Sequence, residues 1–298
     1  MSLDDELSDL LIISLEQAVA APYCGLLLAS AGARVIKVER PEGDFARSYD
    51  NSINGKSAIF AWLNRGKESI SLDLKNKTDK KIFKNMLKKA DVFLSNLTPG
   101  SLEKLELDYK QVKALNPKLI FCEITGYGNS KLAHSKKAYD FLIQAESGLC
   151  SVTGTEKYPS KVGISITDLS TGLTAYSAIL RGIIKRSKTK KGISISISMF
   201  DVMADWMNMP LLAHRYMGGT PKRNGMKHSF IAPYGTFKCK NNDEILISIQ
   251  NNREFEVFCK KILKKQNLFK NPKFQDNPNR YKNRHELDKI INSCFLKY

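Results

Sequence analysis

The chain is poor in the residues that usually announce redox, metal or hydrolytic chemistry. Its six cysteines, at positions 24, 122, 150, 239, 259 and 294, form no CxxC pair, and its four histidines, His134, His214, His228 and His285, show no ligand spacing. Neither a metal site nor a disulfide framework is expected; the cysteines read as reduced cytosolic thiols, mostly core filler. The histidines read as surface or hydrogen-bonded groups. No HExxH, GxSxG or Walker loop occurs. The loop after the first expected strand, EQAVAAP (16–22), has no glycine. A dinucleotide site needs glycines there so that backbone can approach the pyrophosphate. NAD and FAD are therefore disfavoured, although Glu39 ends the second strand where a ribose-binding acid would sit. No apolar run is long enough to span a bilayer. The start, MSLDDELSDLL, is acidic and lacks the basic region of a secretory signal. A cytoplasmic protein with no membrane partner is expected.

What is abundant is positive charge. The 298 residues carry a net charge of +17, from 36 lysines and 11 arginines set against 30 acids. Such a balance raises nucleic-acid binding. The lysines, however, are spread along the whole chain. In DKKIFKNMLKKAD, Ile82, Phe83, Met86, Leu87 and Ala90 hold a helical stripe while lysines fill the other side, the pattern of a solvated face. No RNP aromatics, helix-turn-helix or finger spacing accompanies them, so no nucleic-acid partner is expected. A basic surface also suits a small polyanion.

Apolar patterning predicts strands at 10–15, 34–39, 69–74, 91–96, 119–124, 162–167 and 193–198. Helices are predicted at 21–32, 79–90, from about Asp108 to Asn116, and over 169–186, with further helical segments to about Met217. This alternation predicts an α/β fold with a doubly wound, mostly parallel, Rossmann-like sheet. The segment 218–235 reads as a linker. Beyond it, GTFKC and EILISIQ flank the turn KNND as a hairpin, and a helix follows at 253–265. Residues 1–217 are thus expected to form a large domain and 236–298 part of a smaller α+β domain.

One acid stands out. Asp168 lies between the apolar run VGISIT and a helix-like run containing Gly172. An aspartate there is either an N-cap or a reagent, and pattern alone favours the cap.

Several stretches, in order, carry a family likeness: SLEQAVAAPYCGLLLASAGARVIKVERPEGDFAR, NRGKESISLDLK, ADVFLSNLTPGSLEKL, NPKLIFCEITGYG, KKAYDFLIQAESGLCSVTG, VGISITDLSTGLTAYSAIL and HSFIAPYGTF. Together they resemble the class III coenzyme A transferases (CaiB/BaiF; formyl-CoA and carnitine CoA-transferase relatives). The resemblance implies transfer of coenzyme A from an acyl-CoA to a free carboxylic acid, with no tightly bound cofactor and with CoA itself as substrate. It implies that Asp168 is the nucleophile of a covalent aspartyl intermediate. The dipole and amides of the following helix are expected to favour its charged form, with Ser170 or Thr171 taking over the cap. For CoA contacts it implies Arg40 at the nucleotide, Leu72 and Lys75 at the adenine, Asn96 along the pantetheine arm, and backbone contacts at Val19 and Ala20. Lys104 stands where relatives have arginine. Lys136, Lys137 and Tyr139 match the segment nearest the active site.

The same likeness separates alternatives. Related 2-methylacyl-CoA racemases use a histidine where this chain has Tyr139, and tyrosine is a poor α-proton base near neutral pH. Short dicarboxylates are expected as acyl groups, with Arg47, Arg223 or His228 as the cation for a distal carboxylate and Tyr234 near by. The glycine-rich loop of formyl-CoA transferase is not recognisable, which argues against formyl or oxalate. Relatives continue past the position of Tyr298 and form interlocked homodimers. A chain without that segment is also readable as an inactive or CoA-binding-only remnant.

Overall fold

Strand β1 (Leu11–Leu15) is the centre of the molecule's main sheet and is buried on both faces. Two apolar faces on one short strand require cover on each side. Alternation supplies it. Ile12, with Val92, Leu94 and Cys122 of neighbouring strands, packs into one core, and Ile13 and Leu15 join Phe93 and Phe121 in another. The computed structural model describes residues 5–128, 132–133 and 136–297; His134 lies outside the described residues.

Helix α1 (Ala20–Ser30) follows, and Gly32, at φ 90°, lies just past its end. Strand β2 (Arg34–Glu39), helix α2 (Ala58–Asn64), strand β3 (Glu68–Ser71) and helix α3 (Lys77–Leu87) come next. The side chain of Asn76 accepts the Thr78 and Asp79 amides, so α3 begins two residues before the expected start at 79. Strand β4 (Val92–Ser95), helices α4 (Ser101–Lys104) and α5 (Tyr109–Leu115), and strand β5 (Ile120–Thr125) continue the pattern. Helices α6 (Asp140–Glu146) and α7 (Leu149–Val152) precede the 24-residue helix α8 (Ile166–Thr189), which leads to strand β6 (Ile193–Ser198). The six strands are all parallel, in the order β3-β2-β1-β4-β5-β6. The order reverses between β1 and β4, and open sheets of this kind bind ligands beyond the strand ends at such a point.

The strand expected at 162–167 does not form. Its backbone is recruited elsewhere: the Val162 amide donates to Gln144 Oε1 at 2.8 Å, and the Thr167 amide donates to Asp140 Oδ1 at 2.8 Å. The place beside β5 is taken by β6 over six paired residues. Asp168 therefore sits in the first turn of α8, three residues after its N-cap Ser165, and not at a strand tip.

Helices α9 (Met199–Trp206) and α10 (Asn208–Tyr216) follow β6. The chain forms two compact units, Met1–Leu149 with Lys161–Met209 and Cys150–Ser160 with Pro210–Tyr298. The second unit contains the expected hairpin, β7 (Tyr234–Lys238) with antiparallel β8 (Glu244–Ser248). Helices α11 (Asn252–Val257), α12 (Asn277–Lys282) and α13 (Arg284–Phe295) complete it. Its own core gathers Phe237, Phe255, Phe258, Phe274, Leu287 and Ile291. Buried Arg280 donates to the Ala232 and Phe274 carbonyls and to Asn252 Oδ1, so its charge is spent on structure. Among the described residues no helix is long and apolar enough to cross a membrane.

Candidate active site

Two clefts open beyond the carboxyl ends of the central strands. One, of about 210 Å³, is lined by Leu15, Val38, Arg40, Leu72 and Lys75, among others. The other, of about 390 Å³, holds Asp168 with Ala20, Asn96, Lys136, Lys137 and Tyr139. Gln17 and Leu97 line both clefts, so the two are neighbours. Gln17 is fixed across the switch point: its amide donates to Asn96 Oδ1 at 2.9 Å, and Asn96 Nδ2 donates back to its carbonyl at 2.8 Å. Nine of the eleven residues singled out from the sequence thus lie on one or other cleft. Val19 instead precedes α1 as its N-cap, and Lys104, exposed on α4, lines neither.

The first cleft has an apolar floor, Leu72 and Leu74 being buried, and an exposed cationic rim at Arg40 and Lys75. That pairing of apolar surface and exposed cations suits a purine carrying phosphates. Arg40 donates to the Gly43 carbonyl at 3.1 Å and approaches Glu42 only at 3.9 Å.

The second cleft is built by close backbone packing. A β-carbon on Gly172 would lie 2.5 Å from the Ala20 carbonyl oxygen, so only glycine lets α8 settle against the start of α1. Asp168 is one helical turn away. Gly126, after β5, serves likewise: a β-carbon there would meet that of Ala138 at 2.0 Å. Among the described residues the Asp168 carboxyl makes no hydrogen bond, so it is not a cap for its own helix. Capping falls to neither Ser170 nor Thr171. Ser170 donates to the Thr167 carbonyl, and Thr171 Oγ1 has no partner. The helix-start amides of Thr167 and Asp168 are taken by Asp140 Oδ1, at 2.8 and 3.4 Å, and Gln144 holds Asp140 Oδ2 at 2.7 Å.

This arrangement reverses the electrostatic expectation for Asp168. Its pKa is pushed up to about 7, first by burial and then by the Asp140 charge. The dipole's stabilisation is directed at Asp140, whose negative charge in turn opposes that of Asp168. A carboxyl with a pKa near 7 is more basic than an ordinary aspartate and still half ionised at neutrality. Tyr49, on the same cleft, is pushed up to about 12 by burial and then by Asp168. Lys136 pairs with Glu146 at 3.2 Å and lies over the Tyr127 ring, whereas Lys137 is exposed.

The cations considered for a distal carboxylate are otherwise engaged. Arg47 forms a two-bond pair with Glu39, at 2.8 and 2.7 Å, and stacks on Phe60. Arg223 donates to the Ser151, Thr155 and Glu156 carbonyls. His228 accepts the Phe230 and Ile231 amides on Nδ1 and stacks on Tyr234, and burial lowers its pKa.

Sequence reasoning missed a set of buried charges at the floor of the first cleft, which Glu16 and Asp44 line. Glu16, Lys37, Asp44 and Lys67 have side chains at most 1% exposed. A signal was present: Lys37 interrupts RVIKVE, a strand whose other inner residues are apolar and whose place in a parallel sheet leaves no wet face.

Comparison with known proteins bears on the identity of these clefts. The family model described as CoA-transferase family III matches residues 7–298. The chain is 36% identical over 291 residues to a Mus musculus succinyl-CoA:glutarate CoA-transferase, covering 96% of this chain and 66% of that one. It is 34% identical to an Acetobacter aceti acetyl-CoA:oxalate CoA-transferase, with 97% and 74% covered. The crystal structure of a CaiB/BaiF family protein from Brucella suis superposes with a TM-score of 0.83 at 33% identity, covering 99% of this chain and 79% of that one. The chain spans about two thirds of the length of the mouse and human succinyl-CoA:glutarate relatives, 66% and 65%.

Proposed function

Because the chain belongs to CoA-transferase family III, we propose that it moves coenzyme A from an acyl-CoA to a free carboxylic acid, with Asp168 as the covalent carrier. The observation that carries this reading is a half-buried carboxyl, unbonded by its own helix, facing a cleft that adjoins an apolar, cation-rimmed groove. An ionised Asp168 oxygen attacks the thioester carbonyl; the C–S bond breaks and CoA leaves as thiolate, giving a mixed anhydride. The thiolate attacks the Asp168 carboxyl carbon, the anhydride C–O bond breaks, and the donor acid departs. The acceptor carboxylate then attacks the aspartyl-CoA thioester and expels thiolate. That thiolate attacks the acceptor's carbonyl, releasing acceptor-CoA and restoring Asp168. An activated acyl group, thioester or mixed anhydride, is kept throughout, so neither ATP nor water enters. Arg40 and Lys75 bind the phosphates, Leu72 the adenine, and Ala20, Asn96, Lys137 and Tyr139 the pantetheine and acyl end.

Short dicarboxylates are the proposed acids. Relatives named for glutarate, oxalate, mesaconate and citramalate support that class. Two copies of the chain are the proposed working form. A panel of acyl-CoA donors with free mono- and dicarboxylic acids, read by product mass, tests the reading. The expected result is CoA exchange between dicarboxylates at rates well above those for monocarboxylates. Retention of CoA without any exchange would leave only a binding protein, and exchange of an α-proton without transfer would make it a racemase.

A further inference from the structure

The buried charges at the floor of the first cleft converge on one short piece of backbone. Ala18 has φ 64°, a left-handed conformation that an alanine does not adopt unaided. Its amide donates to Asp44 Oδ1 at 3.2 Å. The same oxygen accepts the Ala46 amide at 2.9 Å, and Asp44 Oδ2 accepts Lys37 Nζ at 2.7 Å. The Asp44 amide in turn donates to Glu39 Oε2 at 2.9 Å. Lys37 Nζ stands 3.8 Å from Glu16 Oε1, which accepts Lys67 Nζ at 2.5 Å. Two acids and two lysines thus neutralise one another around the residues just before and after Gln17.

Burying charges of this kind is poorly explained by stability, because apolar side chains of similar volume usually serve as well. What an apolar side chain cannot do is hold an amide at a fixed place. The amide held here belongs to the elbow Gln17–Ala18, which lies on the cleft of Asp168 and, through Gln17, on the groove of Arg40 and Lys75. Asn96 fixes the elbow from the β4 side. We propose that Asp44, clamped by Lys37, is a positioning residue: it holds Ala18 left-handed so that the elbow delivers the thioester from the groove to Asp168. The inference rests on the transferase reading above, and the elbow geometry itself is measurable without turnover.

The test combines hydrogen–deuterium exchange over residues 14–20 with steady-state kinetics on the full chain. Asp44→Asn is expected to raise exchange at the Ala18 amide at least about tenfold. It is expected to lower kcat by at least about tenfold, a larger change than that in KM for the acyl-CoA, to whose groove Asp44 also belongs. A residue that only supports the fold would lower Tm and leave kcat of the folded enzyme untouched. Ala18→Gly carries the same test if Asp44→Asn does not fold. Glycine accepts φ 64° but is free to leave it, so exchange should rise and kcat fall by about threefold with Tm little changed. Unchanged exchange in the folded variants overturns the clamp, whether or not the protein turns over. Raised exchange with unchanged kcat overturns the positioning role. A wild-type protein that moves no CoA, in which Asp44→Asn still loosens Ala18, retains the clamp and sinks the transferase reading instead.

Discussion

Around Arg40 and Lys75 charge is exposed and lightly engaged, Arg40 bonding the Gly43 carbonyl and meeting Glu42 at 3.9 Å; around Ala18 charge is buried and tied to named partners, and beside it Asp168 is half-buried in its cleft. The first arrangement suits recognition of a flexible polyanion, since exposed cations bind without needing rigid geometry. The second suits chemistry, since burial shifts a carboxyl toward the basicity that the reaction uses and fixed amides set where backbone lies. Substitutions should separate the two: changes in the groove should alter binding, and changes in the buried set should alter turnover or its pH dependence.

The largest effect is expected at Asp168. Asp168→Ala should lower kcat by at least about 10³-fold, the scale of losing a covalent nucleophile, with CoA affinity by calorimetry kept within about threefold. Turnover that survives this change would erase the contrast between the clefts. Next comes Gly172→Ala. Helix propensity alone would favour alanine by about 1 kcal/mol. The 2.5 Å approach to the Ala20 carbonyl should outweigh it, costing about 1–3 kcal/mol in chemical denaturation, with kcat reduced as α8 shifts. Arg40→Ala follows, with KM for acyl-CoA raised by about tenfold, or about 1.4 kcal/mol, and kcat unchanged.

A smaller, sharper effect concerns pH. In the proposed mechanism Asp168 attacks as an anion, so with its pKa pushed up to about 7 activity should rise as pH rises through neutrality and fall below it. Asp140→Asn removes the neighbouring negative charge while its amide oxygen still faces Thr167. Ionisation of Asp168 then becomes easier, and the acid limb of the kcat profile should move to lower pH by up to about one unit. A limb that stays in place would assign the shift to burial alone. The smallest effect is expected at Lys104, outside both clefts: Lys104→Ala should change KM by less than about threefold.

Much of the sheet was legible because parallel strands buried on both faces are apolar runs between turns. Strands β2 and β6 occupy the residues expected of them, 34–39 and 193–198. The run VGISIT misled for a physical reason. Its alternation is that of a strand, and its fate was decided by Asp140 and Gln144, whose side chains reach its amides from an earlier helix. Cleft-lining residues were legible where family likeness matched motifs, as at Arg40 and Asp168. Others were not, where meaning comes from tertiary pairing: nothing in RVIKVE names the partner of Lys37, which is Asp44. Arg47, conversely, reads as a free cation until Glu39 is found bound to it.

The most direct test of the account is the mass of the peptide containing Asp168 after the protein is incubated with succinyl-CoA and quenched with hydroxylamine. An acyl-type adduct converted to a hydroxamate at Asp168, absent without donor, is the result expected. Turnover of CoA with that peptide unmodified, or with the adduct on another residue, would contradict it.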